Sequence, residues 1–266
     1  MMQVFGYLSS LLIGLSLGLL GAGGSILTLP VMVYFFKVEP VQAVRYSLFV
    51  VGSTSVAATI PRLKKGEVLI LQGSIFALIS IIVIYLTRHF LLNLIPPILF
   101  SHGHFILTRE TVNMSAFALL MLCASKSLIS SVQEDEKIRK NLPSALTLIA
   151  IAIFTGILTG LLGAGGGFLI VPALIMFFQL NIKKAIATSL FIISLNTIAG
   201  FLCDFKQNGT DWKLLILTTM VALSGSFIGQ RVAINISTPL LKKGFGWFIL
   251  IMAIIILAVE GGGLCA

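Results

Sequence analysis

Gly18-Leu-Leu-Gly-Ala-Gly-Gly24 and Gly160-Leu-Leu-Gly-Ala-Gly-Gly166 are the same seven residues met twice, 142 positions apart. Each lies inside a long uncharged run, 1–36 in one case and 141–182 in the other. A continuous helix over 36 residues would extend about 54 Å, against a hydrocarbon core of roughly 30 Å, so each run must break. Glycine weakens a helix and reaches positive φ, and a proline follows six residues after the last glycine, at Pro30 and Pro172. The Gly-Ala-Gly-Gly at 21–24 and 163–166 is therefore read as an unwound turn joining two short helices at depth in a membrane. Irregular backbone at that depth is tolerated only where it is buried in protein or lines a watery cavity.

The likeness extends outward from the turns. Over positions 14–36 against 156–178 there are 12 identities in 23 positions, including Gly14 on Gly156, Leu27 on Leu169, Pro30 on Pro172 and Phe35-Phe36 on Phe177-Phe178. The match resumes at Ala43, Ser47, Leu48 and Phe49 against Ala185, Ser189, Leu190 and Phe191. An internal duplication of this kind is how many secondary transporters are built. It predicts a first transmembrane repeat at 1–125, a linker at 126–142 and a second repeat at 143–266.

Composition agrees with a bilayer as solvent. The 266 residues are 58% hydrophobic and only 10% charged, with mean hydropathy +1.08. A soluble domain carries about 25% charge because its surface faces water. The uncharged runs, 1–36, 46–61, 68–87, 111–125, 141–182, 185–203, 214–230 and 244–259, are too long for the two-residue alternation of a membrane barrel. An all-α polytopic fold is predicted. The net charge of +9 comes from 18 Lys and Arg scattered between apolar segments, which points to topology rather than nucleic acid. Cys123, Cys203 and Cys265 have no CxxC spacing and suggest neither disulfides nor zinc. The N-terminal run has no basic n-region and a near copy mid-chain, so it is read as retained structure rather than a signal peptide.

If each broken segment returns to its starting side, the repeats are inverted. One side then collects Arg62, Lys64, Lys65, Lys126, Lys137, Arg139, Lys140, Lys183, Lys184, Arg231, Lys242 and Lys243, which is 12 of the 18 cations. A single crossing would divide them evenly. Positive residues favour the cytoplasmic side, so the 62–67 loop and the linker are expected inside and both termini outside. The short run at 90–101, with Pro96 and Pro97, is read as re-entrant or interfacial, the alternative being one more crossing.

Gly14 with Gly18, Gly156 with Gly160, and Gly225 with Gly229 are GxxxG pairs and are read as helix-packing devices. The glycine turns are more than that, since packing does not need four small residues in succession and a proline. A helix restarting at Ser25 or Gly167 aims free N–H groups and a partial positive charge at the break. Two such starts across a pseudo-twofold axis make an anion site without a buried arginine. The candidate binding residues are Gly21, Ala22, Gly23, Gly24 and Ser25 in one half, and Gly163, Ala164, Gly165, Gly166 and Gly167 in the other. Ser47, Thr54, Thr188, Ser189 and Asn196 join them as polar groups within uncharged runs. The competing reading of the hydroxyls is back-bonding to their own helix. Arg45 is expected to snorkel to the interface. His89, His102 and His104 lack the partners a metal needs.

The doubled GLLGAGG-x-x-L-x-x-P, the helix opening Ala185-x-x-Thr188-Ser189-Leu190 and the Gly209-Thr-Asp-Trp212 ahead of the next helix resemble the sulfite exporter TauE/SafE family, also called the TSUP family of anion transporters. The likeness covers almost the whole chain. It implies transport of sulfite, sulfonates or related organosulfur anions. The sequence departs from the pattern at Tyr46, where the second copy has a threonine, and at 88–110, a longer and more His-rich stretch than its counterpart near 231–243.

The sequence thus reads as a multi-pass protein of the cell inner membrane that moves a small sulfur oxyanion or sulfonate by alternating access. The other class in view is a membrane-embedded binding or assembly subunit without transport of its own. An enzyme is not expected, since neither HExxH nor GxSxG occurs. No cofactor or metal is implied; the partners implied are the anion and the lipid bilayer, with room for a coupling ion and an oligomer.

Overall fold

A computed structural model describes residues 2–21, 23–91, 98–102, 105–108, 145–162, 167–178, 180–203 and 210–263, with isolated helical positions between 112 and 129. The helices are α1 (Met2–Leu20), α2 (Gly23–Pro30), α3 (Pro40–Lys64), α4 (Ile70–Leu86), α5 (Ala145–Leu162), α6 (Gly167–Phe178), α7 (Ile182–Cys203), α8 (Trp212–Asn235) and α9 (Thr238–Gly263). Gln42–Lys64, Ile182–Cys203, Trp212–Asn235 and Pro239–Ala258 are each long and apolar enough to cross a membrane, and Phe5–Leu20, Ile70–Leu86 and Leu146–Leu161 are shorter apolar helices. The all-α polytopic architecture expected from the sequence is what the helices build, with one short pair of strands beside them. Ile98–His102 (β1) and Phe105–Thr108 (β2) pair antiparallel within the His-rich stretch 88–110 and start at the end of the run read as re-entrant or interfacial.

The helices are inside out by the standards of a water-soluble bundle. On α8 the buried face is Thr218, Thr219, Ala222, Gly225, Ser226 and Gly229, while Ile216, Leu217, Met220, Phe227, Ile228 and Val232 are exposed. On α4 the buried Gly73, Phe76, Ala77 and Ser80 oppose exposed Leu71, Ile75, Leu78, Ile82 and Tyr85. Lipid solvates large apolar side chains as well as a protein core does, so small and hydroxylic residues take the packed face, where backbones approach closely.

Helix α1 lies along α8 in the same direction, with Gly14 on Ala222 and Gly18 on Ser226; a Cβ on either glycine would strike the facing carbonyl. Gly225 and Gly229 meet Leu11 and Leu15 of α1 in the same way. The second copy repeats this arrangement, with Gly156 of α5 against Ser80 and Val83 of α4, and Gly160 against Ile84 and Thr87. All three GxxxG pairs are thus packing devices, and each half lends its first helix to the other half. Helices α3 and α7 cross antiparallel at the centre, where Gly52 faces Thr197 and Gly200 faces Leu48.

The first broken run doubles back. Gly24 packs on Ile13, Ser16 and Leu17, and the Phe36 ring meets Tyr7 edge-on at 5.3 Å, so α2 and the π-helical Val31–Phe35 descend antiparallel to α1. The chain returns to the end from which it started. The turn is tighter than the sequence suggests. Helix α1 reaches Leu20, Gly21 takes φ +82, and α2 begins at Gly23 rather than at Ser25. Among the described residues of the turn Gly21 alone takes positive φ; Gly24 is helical, and its missing side chain lets α2 close on α1.

Candidate functional site

At the first glycine turn two helix ends meet. The last turn of α1 leaves carbonyls without helical partners, and the first turn of α2 leaves the N–H groups of Gly23, Gly24 and Ser25. The Gly21 N–H closes α1 on the Leu17 carbonyl at 2.9 Å. Arg62 Nη2 donates to the Gly18 carbonyl at 3.1 Å with its residue only 9% exposed. The guanidinium thus answers the negative end of α1, and the positive end of α2 beside it stays unopposed by any acidic side chain of α1 or α2. This corrects the expectation that no buried arginine attends the site. Arg62, read as a loop cation, belongs to the last turn of α3, where its long side chain turns inward to the α1 terminus.

The wall facing the turn is α7. A Cβ at Gly21 would lie 2.9 Å from Ile186 Cγ2 and 3.1 Å from Ser189 Oγ. Ser189 is fully buried and donates to the Ile186 carbonyl at 2.9 Å. Asn196 lies seven residues on, hence on the same face of α7 and about 10.5 Å further along its axis. It pairs with Ser80 Oγ of α4 at 3.1 Å. The Ser80 hydroxyl donates to Asn196 Oδ1 and also lies 3.0 Å from the Ala77 carbonyl, so its single proton is shared between the two acceptors.

The other candidates divide. Ser47 and Thr54 donate to carbonyls of their own helix, at Val44 (2.7 Å) and Val50 (2.6 Å), so their donor protons are committed to α3. Thr188 accepts the Leu69 N–H at 3.2 Å. Ser25 is buried. Gly167 opens α6, and α6 touches α2. Ala22 and Gly163, Ala164, Gly165 and Gly166 lie outside the described residues, as do most of the linker and His104. Arg45 is 5% exposed; it is held within the protein and does not snorkel outward. Among the described residues no three His, Cys, Asp or Glu side chains gather for a metal.

Cavities open at both ends of α7. One, of about 120 Å³, lies among Arg62, Lys65, Lys183, Gln230 and Leu241. The other, of about 520 Å³, runs from Asn196 past Tyr85 and His89 to Cys203. Pro61 lines the first and Cys203 the second, and these are equivalent positions of the 142-residue repeat.

Two features escape sequence reasoning. The positioning of Arg62 carries one faint signal, since Arg62 aligns with Asp204 in the repeat and so breaks its symmetry. The Tyr46 hydroxyl accepts the Asp211 N–H at 2.5 Å, which no local pattern announces.

Apolar helices with small, hydroxylic packed faces, together with a glycine hairpin that doubles back on itself, define a multi-pass membrane protein. Residues 7–256 match the family described as sulfite exporter TauE/SafE, and the chain belongs to that family. It is 30% identical over 249 residues to a probable membrane transporter protein of Xylella fastidiosa (strain 9a5c), covering 92% of this chain and 91% of that one. It is 29% identical over 255 residues to the probable membrane transporter protein YunE of Bacillus subtilis (strain 168), covering 91% and 89%. A probable membrane transporter protein of Methanocaldococcus jannaschii, MJ0441, is 34% identical over 113 residues, covering 40% and 42%. No solved structure matches. The family is one of transporters, not enzymes.

Proposed function

We propose that the chain exports a small sulfur oxyanion, such as sulfite or a sulfonate, by alternating access, and that the anion is held at the glycine turns. The observation that carries this reading is the first turn itself, where α2 starts at Gly23 directly after an α1 terminus whose Gly18 carbonyl holds the buried Arg62 guanidinium; Gly21, Ala22, Gly23, Gly24 and Ser25 would face the anion. An anion there meets backbone N–H groups and a positive field without carrying its own countercharge into the membrane. Ser189 joins by turning its hydroxyl from Ile186 to the anion, with Asn196 further along the same face of α7 and Thr188 on the adjoining face. Residues 163–167, with Ser47 and Thr54, would form the equivalent half-site.

The antiparallel crossing of α3 and α7 supports inverted repeats, since a twofold axis in the membrane plane relates two helices in this way. The exchange of α1 and α5 between halves fits the same symmetry, with repeats at 1–125 and 143–266 about a linker at 126–142. Arg62, Lys64, Lys65, Lys183, Lys184, Arg231, Lys242 and Lys243 fall at the end carrying the 62–67 loop, against Lys37, Arg45, Arg88 and Lys213 at the other. That bias favours a cytoplasmic loop and linker with external termini.

The deciding experiment is flux from proteoliposomes loaded with sulfite, thiosulfate, sulfoacetate or another sulfonate. Saturable movement of at least one of these, absent from empty vesicles, is expected. A chain that binds such anions but moves none would be a binding or assembly subunit.

A further inference from the structure

The cavity of about 120 Å³ below the first turn is separate from the turn and carries its own chemistry. It is built where the end of α3, the turn after it, the start of α7 and the end of α8 meet. Its lining holds three cations, Arg62, Lys65 and Lys183, against one carboxylate, Glu67, a formal excess of two positive charges. Gln230, also on the wall, donates its amide to the Ser226 carbonyl at 3.3 Å. Arg62 is the decisive group. It is nine-tenths buried, and of its five N–H donors one nitrogen, Nη2, holds the Gly18 carbonyl. No Arg62 nitrogen is both buried and unpartnered, so its remaining donors are met by water or a neighbouring acceptor, a place that an oxyanion entering the cavity would take. The volume exceeds what a single water requires, and like-signed walls of low dielectric concentrate counter-ions.

We infer that this cavity is a second anion site, a staging position for a tetrahedral or pyramidal oxyanion, with Arg62 shared between the bound anion and the α1 terminus at the turn. The inference rests on the proposed transport of an oxyanion for its place on the route, though not for the binding itself. Arg62 is bonded to the turn on one side and lines the staging cavity on the other. It is therefore the group through which occupancy of the mouth is felt at the re-entrant hairpin. Lys65 and Lys183 set the preference for a doubly charged ligand, and Glu67 keeps the site from holding it too tightly.

The test uses the full chain in phosphatidylcholine nanodiscs, with Cys123, Cys203 and Cys265 changed to serine and a single cysteine introduced by Ala233→Cys on the cavity wall. Modification by an anionic methanethiosulfonate reagent is expected to outrun the cationic analogue by about tenfold, the low end of electrostatic focusing. Inorganic sulfate should slow it several-fold more than chloride at equal ionic strength. Lys183→Gln and Arg62→Gln should each abolish the sulfate protection, while Arg62→Lys retains part of it. If Arg62→Gln does not fold, Lys183→Gln with Lys65→Gln carries the same comparison. Equal rates for the two reagents, sulfate no better than chloride, or protection unchanged in the Lys183 variant would overturn the site. So would protection conferred by phosphatidylglycerol without sulfate, which would make the cavity a headgroup site. Loss of transport with protection intact would defeat the transport reading and leave the cavity standing; the reverse would defeat the cavity alone.

Discussion

Asp211 donates its backbone N–H to the Tyr46 hydroxyl at 2.5 Å, and 142 residues back in register Leu69 donates its own N–H to the Thr188 hydroxyl at 3.2 Å. Both donors are the N-cap residues of their helices, Asp211 for α8 and Leu69 for α4. Both acceptors come from the central helix of the opposite half. The departure of Tyr46 from threonine therefore conserves the hydrogen bond, a longer side chain reaching the same kind of partner.

Removing either acceptor strands an N–H at a helix start. Tyr46→Phe and Thr188→Val should each lower stability by about 0.5–1.5 kcal/mol, the net worth of one hydrogen bond. Their effects should add, because the two contacts share no residues. Thermal unfolding of the purified protein in detergent checks this. Subadditive losses would mean that the two ends of the α3 and α7 pair are coupled.

The paired glycines of α1 and α8 should not accept a side chain. Gly14→Val and Gly225→Val would drive methyl groups into the carbonyls of Ala222 and Leu11, costing about 1–3 kcal/mol or more by overpacking. A Cβ at Gly244 meets nothing within 4 Å, so Gly244→Ala should leave the folded yield unchanged. Size-exclusion profiles of the three variants give the readout.

The first turn should depend on Gly21 more than on Gly23. Gly21→Ala forces an L-residue to φ +82 at a cost of about 1–2 kcal/mol and pushes into Ile186 and Ser189. Transport in proteoliposomes should fall sharply. Gly24→Val should have a similar effect by prising α2 from Ile13 and Leu17. Normal flux from both variants would move the binding site away from this turn. Ser189→Ala, which removes one neutral donor, should weaken anion affinity only about tenfold, or 1.4 kcal/mol.

Cysteines substituted for Lys137 and Gly263 in a cysteine-free background should label from opposite faces of the membrane, Lys137→Cys from the cytoplasm and Gly263→Cys from outside. Labelling of both from one face would exclude the inverted arrangement.

Several properties are legible in the chain because they are local in sequence. Hydropathy and the length of the uncharged runs determine that helices must cross a membrane. A 36-residue apolar run with Gly21 and Gly24 inside it must break there, since no bilayer accommodates its full length. The GxxxG pairs announce close packing, because nothing else is gained by small residues at that spacing. The partners of buried polar groups are decided elsewhere. Arg62 and Gly18 lie 44 residues apart, Leu69 and Thr188 lie 119 apart, and Tyr46 and Asp211 lie 165 apart. A hydroxyl or guanidinium in an apolar environment must find a donor or acceptor, and which one it finds depends on which helix is laid beside it. That depends on α3 lying against α7 and α8, and α4 against α7, a long-range arrangement that no local period in the chain encodes.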